Sequence, residues 1–172
     1  MIKKLLYFGF PVLVLIFIVY YNLGGFNTTQ IELAKTDGYI ISGYLYEGPY
    51  DEDSLMALFH LATTLVMENS KTDRLVVVNY QHPSKASDSI RQLLGTNALG
   101  PKNHKDALFT DTIIANKVIR AKVIGQPLVI SKPGDTRQEM IKYAQDNDLI
   151  TTKISIEEYV GNDEIWVSMP LK

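Results

Sequence analysis

The longest apolar run stands at the start of the chain. From Leu5 to Phe26 no residue carries a charge, and LLYFGFPVLVLIFIVYYNLGGF covers the roughly 20 residues a helix needs to cross hydrocarbon. Lys3 and Lys4 precede it, and Tyr20 and Tyr21 sit near its far end, where amphipathic rings favour the membrane interface. Pro11 falls near the first turns, a position a membrane helix tolerates. The run is longer than the ~7–15 apolar residues of a signal-peptide core, and no small-x-small cleavage site follows it. The pattern predicts a single-pass anchor over residues 1–26. Positive charge stays cytoplasmic, so Lys3 and Lys4 direct the remaining chain to the non-cytoplasmic side, with the lipid bilayer as a first partner.

After the anchor the period changes. Asn22–Gln30 (NLGGFNTTQ) breaks all periodicity, and a linker is expected over residues 27–37, followed by one folded domain over 38–172. Tyr39–Tyr46 (YIISGYLY) is β-branched and aromatic and predicts a strand; Gly48-Pro49-Tyr50 predicts a turn. Asp51 or Asp53 is placed to cap a helix whose Leu55, Leu58, Phe59, Ala62, Leu65 and Val66 recur at helical spacing. Strands are expected at Leu75–Tyr80 (LVVVNY) and Ser89–Leu94 (SIRQLL), joined by a turn at His82-Pro83-Ser84.

The second half repeats this order. Lys122–Ser131 predicts a strand, Pro133-Gly134 a turn, and Asp135 with Gln138 a capping box for a helix reaching about Asn147, with Met140, Ile141 and Ala144 inward. Thr152–Tyr159 and Glu164–Met169 read as strands joined by a hairpin turn at Gly161-Asn162-Asp163. The third element ends in Asn79-Tyr80 in one half and Glu158-Tyr159 in the other, which suggests a duplicated unit. The segment Gly95–Ala121 shows no clear pattern, beyond a loop at Asn103–Asp106 and a strand beginning at Ile113-Ile114. The predicted fold class is α+β: two β-α-β-β units with both helices on one face of an antiparallel sheet, plus one N-terminal transmembrane helix.

Composition removes several functions. The 172 residues are 46% hydrophobic and 21% charged, which excludes a wholly disordered or fibrous chain. A net charge of −2 gives no basic face for displacing counterions, so no nucleic-acid partner is expected; Arg120 and Lys122 stand among acidic residues. There is no cysteine, hence no disulfide, thiolate metal site or cysteine nucleophile. His60, His82 and His104 are far apart, and no metal or cofactor is expected. Neither a Gly-x-Ser-x-Gly elbow nor a Gly-rich phosphate loop occurs; Gly24-Gly25 belongs to the linker.

Gly48-Pro49-Tyr50 before the first helix, Glu157 with Tyr159 on a late strand, and Met169-Pro170-Leu171 after the final hairpin together resemble the GyrI-like domain family. This is the small-molecule effector-binding fold of several transcription activators and gyrase inhibitors. The resemblance spans Gly38–Leu171. With a single anchor in front, and with Asn79-Tyr80 and His82-Pro83, the chain is similar to the membrane-anchored branch that serves as receptors in endoplasmic-reticulum autophagy. Those receptors carry a long tail and a cytosolic domain. This chain ends at Lys172 and its lysines point the other way, so the autophagy role is not expected to transfer.

The resemblance implies a pocket in which a strand glutamate meets flat cationic ligands among aromatic rings. A carboxylate in apolar surroundings is costly unless paired, so it selects a cation, and rings add cation–π attraction. The motif places this role on Glu157; Glu158, adjacent on the strand, points to the opposite face. Tyr159, Tyr50, Tyr80 and Trp166 are candidate wall residues. The same residues also suit plainer roles, Glu157 as an exposed edge glutamate and the aromatics as packing. The expected function is a membrane-anchored module for a small apolar or cationic ligand. A protein-interaction domain without ligand is the alternative, and a hydrolase of small electrophiles using the pocket glutamate is third. No second catalytic group accompanies the glutamate, so an enzyme is the weaker expectation.

Overall fold

Helix and strand alternate where the two periodicities demanded, around one antiparallel sheet. The computed structural model describes residues 2–22, 29–69, 73–80, 89–97, 108–124, 133–161 and 163–172. Within these the elements are α1 (Ile2–Asn22), β1 (Gln30–Lys35), β2 (Tyr39–Pro49), α2 (Glu52–Asn69), β3 (Leu75–Asn79), β4 (Ser89–Thr96), β5 (Phe109–Ile113), β6 (Lys117–Ile124), α3 (Pro133–Asp146), β7 (Ser155–Tyr159) and β8 (Glu164–Pro170).

The eight strands run in the order β1-β6-β8-β7-β3-β4-β2-β5. The sets β6-β8-β7 and β3-β4-β2 mirror each other about the β7–β3 seam, and each belongs to one β-α-β-β unit. The expected duplication is therefore present. Its details differ: β3 and β7 pair with Val77 opposite Glu157 and Asn79 opposite Ser155. Matching Asn79 with Glu158 as repeat equivalents would put them on opposite faces, because side chains alternate; strand for strand, Asn79 corresponds to Tyr159.

One row of cross-strand partners on a single face reads Ile31, Ala121, Val167, Glu157, Val77, Leu94, Tyr44. α2 covers one end of that face through Ala62, packed with Leu75, Val77 and Leu94, and α3 covers the other through Met140 and Ala144, packed with Ile119, Ala121, Val167 and Met169. Both helices thus lie on the same face, as expected. The other face buries Ile41, Val76, Val78, Leu93, Ile113 and Ile156.

Several boundaries moved. Gln30–Lys35, inside the stretch read as linker, is strand β1, whose partner is β6. β2 continues through Gly48 and Pro49, which pair with Ile90 and Ser89, so the turn starts later than Gly-Pro suggested; Pro49 is the last residue of the strand and lies beyond the pairing with β5. β6 starts at Lys117, five residues before the expected strand, because Val118, Ile119 and Ala121 are all buried between β1 and β8; residues 125–131 of the expected strand lie outside the described residues. Ile113 ends β5 rather than beginning a strand. α3 starts at Pro133, so Asp135 lies within its first turn and is no N-cap. Proline suits the first helical position, and an acid suits the first turn's dipole. The turns at His82-Pro83-Ser84 and Asn103–Asp106 lie outside the described residues.

α1 is a continuous 21-residue helix. Its side chains are described at Phe10 and Val12–Tyr21, and all of these are exposed. Among the described residues no helix is long and apolar enough to cross a membrane.

Candidate functional site

At the centre of the helix-covered face, the apolar row carries one charged residue, Glu157 on β7. It is 7% exposed. Two side chains bond to it, and a third orients one of them. Asn79 on β3 donates from Nδ2 to Oε1 at 3.0 Å, and Arg137 on α3 donates from Nη2 to the same oxygen at 2.9 Å. Gln92 on β4 donates to the Asn79 carbonyl at 2.5 Å, orienting its amide toward the carboxylate. Arg137 and Glu157 form an ion pair in which both side chains are about nine-tenths buried. Burial pushes the Glu157 carboxyl above its ordinary value, while Arg137 and the Asn79 bond pull the other way. Among the described residues the Arg137 Nε and the neighbouring Thr136 hydroxyl find no hydrogen-bond partner.

Glu157 forms part of the floor of a cleft of about 370 Å³ between α2 and the sheet. Val77, Leu94, Gln92 and Tyr159 complete the floor, and Leu55, Met56 and Phe59 form the α2 wall. Tyr50 and Glu52 stand at the mouth, with Tyr50 68% exposed. Phe59 and Tyr159 meet edge to face at 5.7 Å, a geometry that fixes one side of the cleft. Burial, with the Glu157 charge in second place, pushes the Tyr159 hydroxyl up as well. Arg137 is not among the cleft residues. It reaches Glu157 from the α3 side, and its hydrogen bond and that of Asn79 both end on Oε1.

Of the five residues named from the sequence, the cleft brings together Glu157, Tyr159 and Tyr50. Tyr80 and Trp166 lie elsewhere. Trp166 pairs across with Lys122 and Glu158 in the row on the opposite face. There Arg74, Arg120 and Lys122 stack over its ring at 4.7, 5.0 and 5.5 Å. Glu158 sits in the same cluster, 3.6 Å from Arg74. Tyr80 packs with the opposite-face core and donates to the Asp111 carboxylate at 2.6 Å. Aromatic identity alone did not carry the information of which face each ring takes; the strand register did. Arg137, Asn79 and Gln92 were missed as site residues. One signal was available for Arg137: a cation early in a helix opposes the helix dipole, which favours acids there.

No protein-family model matches the chain, and no curated protein matches it either, so the likeness to the autophagy receptors gains no support. Solved structures do match. The C-terminal domain of EcmrR superposes with a TM-score of 0.61 at 14% identity, over 84% of this chain and 98% of that one. EcmrR in its DNA complex matches over 57% of its length at 13% identity and a TM-score of 0.60, so the chain spans about half of that protein. An integron cassette protein from the mobile metagenome of Vibrio cholerae gives a TM-score of 0.59 at 7% identity, over 83% of this chain and 95% of that one. SAV2435 bound to tetraphenylphosphonium gives 0.53 at 12% identity, over 83% and 94%. At these identities the likeness is one of fold. It agrees with the GyrI-like architecture expected from the sequence, and it lends nothing to the expectation that nucleic acid is not a partner.

Proposed function

We propose that this protein is a membrane-anchored small-molecule-binding module that takes an apolar or cationic ligand in the cleft over Glu157. The observation that carries the reading is the cleft itself: an open volume of ligand size, walled by Leu55, Met56, Phe59 and Tyr159, with one buried carboxylate at its floor. Apolar walls with a few convergent polar groups are the usual form of a ligand site. SAV2435, of similar fold, was solved with tetraphenylphosphonium bound. The anchor rests on the uncharged run Leu5–Phe26 of the sequence and on the exposed apolar surface of α1. Its described large apolar side chains are 41–66% exposed at ten successive positions, hence on every side of the helix. A helix apolar all round belongs in a core or a membrane. Lys3 and Lys4 ahead of the apolar run support a domain on the non-cytoplasmic side.

The test is a thermal-shift screen of the full chain in nanodiscs against cationic and neutral amphiphiles, since a ligand bound only by the folded state raises the melting temperature. A shift abolished by Met56→Trp, which fills the cleft from a half-exposed wall position, is the expected result. A shift unchanged in that variant would remove the cleft from consideration. Protease added to right-side-out vesicles should digest the domain; full protection would reverse the topology.

A further inference from the structure

The floor of the cleft is not electrically negative. Glu157 is ion-paired to Arg137 at 2.9 Å. With the carboxyl ionised, the pair carries no net charge; with it protonated, the pair carries one positive charge, because a guanidinium keeps its proton. In neither state does the floor offer an uncompensated negative charge to a ligand. The other acid at the cleft, Glu52, stands at the mouth and is exposed, where water and salt screen it. The geometry still leaves a hydrogen-bonding position. Asn79 and Arg137 converge on Oε1, and the Glu157 carboxyl lines the cleft, able to accept a hydrogen bond when ionised or to donate one when protonated.

Resting on the reading of this cleft as a ligand site, we propose that Arg137 is its specificity-determining residue. By neutralising Glu157 from the α3 side, it makes the cleft a receptor for a neutral apolar molecule bearing one hydrogen-bonding group, such as a hydroxyl, and disfavours lipophilic cations. Arg137 acts through Glu157 without forming part of the cleft wall. Its removal should therefore change which charge the cleft accepts while leaving the cleft's shape in place.

The experiment uses two probes of similar shape: triphenylmethanol, neutral with one hydroxyl, and tetraphenylphosphonium, a permanent cation. Binding to the full chain in nanodiscs is measured at pH 8.5 for wild type, Arg137→Met and Arg137→Gln, the last keeping a neutral donor beside Glu157. The ratio of the two affinities is compared between variants, so that partition of the probes into lipid cancels. Wild type should prefer triphenylmethanol. Each Arg137 variant should shift the ratio toward tetraphenylphosphonium by about tenfold or more, which is about 1.4 kcal/mol. Adding Glu157→Gln to Arg137→Gln should abolish that shift. A wild type that prefers the cation, or a ratio unmoved by both Arg137 variants, overturns the assignment while leaving the cleft a ligand site. If neither probe, at saturating concentration, binds any variant, the ligand-site reading falls, and the selectivity assignment falls with it.

Discussion

Replacing Glu157 with glutamine should make the protein more stable at alkaline pH, although it removes half of a buried ion pair. The reasoning starts from the direction in which the site moves the carboxyl: burial raises it above the ordinary glutamate value, and Arg137 offsets this only in part. A carboxyl raised in the folded state holds its proton longer than the unfolded chain does. Its contribution is thus fully present below the unfolded value, near 4.3, and is lost as pH rises through the folded one. The loss amounts to about 1.4 kcal/mol for each unit by which the folded value is raised. Glutamine resembles the protonated acid in shape and can accept the bonds from Asn79 and Arg137, but it does not titrate. At pH 4.5 the variant should match wild type to within about 1 kcal/mol, the worth of one ordinary hydrogen bond. At pH 8 it should exceed wild type. Arg137→Met should act in the opposite sense, since it removes the charge that favours ionisation, and the fall in stability between pH 4.5 and 8 should steepen. The assay is urea unfolding of the full chain in detergent micelles at both pH values. Glu158 on the other face is also raised by burial, and it cancels in the comparison between variants. If Glu157→Gln loses more than about 1 kcal/mol at pH 8, the pair is net stabilising, and the claim that desolvation outweighs attraction here is refuted.

Two further predictions concern the frame that holds the site. Gly43 and Gly95 face each other across β2 and β4, and a Cβ on Gly95 would lie 2.1 Å from the Ser42 carbonyl oxygen and 2.6 Å from the Gly43 Cα. Gly95→Ala should therefore cost about 1–3 kcal/mol in urea unfolding, and a cost below about 0.5 kcal/mol, the ordinary scatter of surface changes, would count against that close approach. Asp148 stands just past the end of α3 with φ at 53°, with Leu149 N–H bonded to the Ala144 carbonyl at 2.9 Å and Asp148 N–H to that of Gln145 at 3.3 Å. This is the Schellman arrangement, which favours glycine at its left-handed position, so Asp148→Gly should raise stability by about 0.5–1 kcal/mol; a lower melting temperature would show that the aspartate side chain matters there.

How much of this was legible beforehand depends on the range of the interaction. Local patterns determined the elements: the Leu55–Val66 stripe, the LVVVN run of β3 and the IWVSM run of β8 needed no partner to be read, because helical and strand periodicities are written in neighbouring residues. The duplication and the placement of both helices on one face followed from the order of those elements. The alternation rule also settled that only one of Glu157 and Glu158 faces the helices. What the sequence could not supply is register. β1 and β5 are short strands whose existence depends on β6 and β2 beside them, so they passed as linker and unplaced segment. Register across β8, β7 and β3 put Trp166 among three cations on one face and Glu157 in an apolar row on the other. The ion pair joins positions 137 and 157 through the packing of a helix onto a strand, a contact no local pattern encodes. The sequence by itself determined a late strand carrying Glu157, and left open whether that carboxylate would line a pocket or stand exposed at an edge. Only the tertiary structure decided that an arginine already neutralises it, because the cost of burying a charge is met by whichever donor the fold brings within 3 Å.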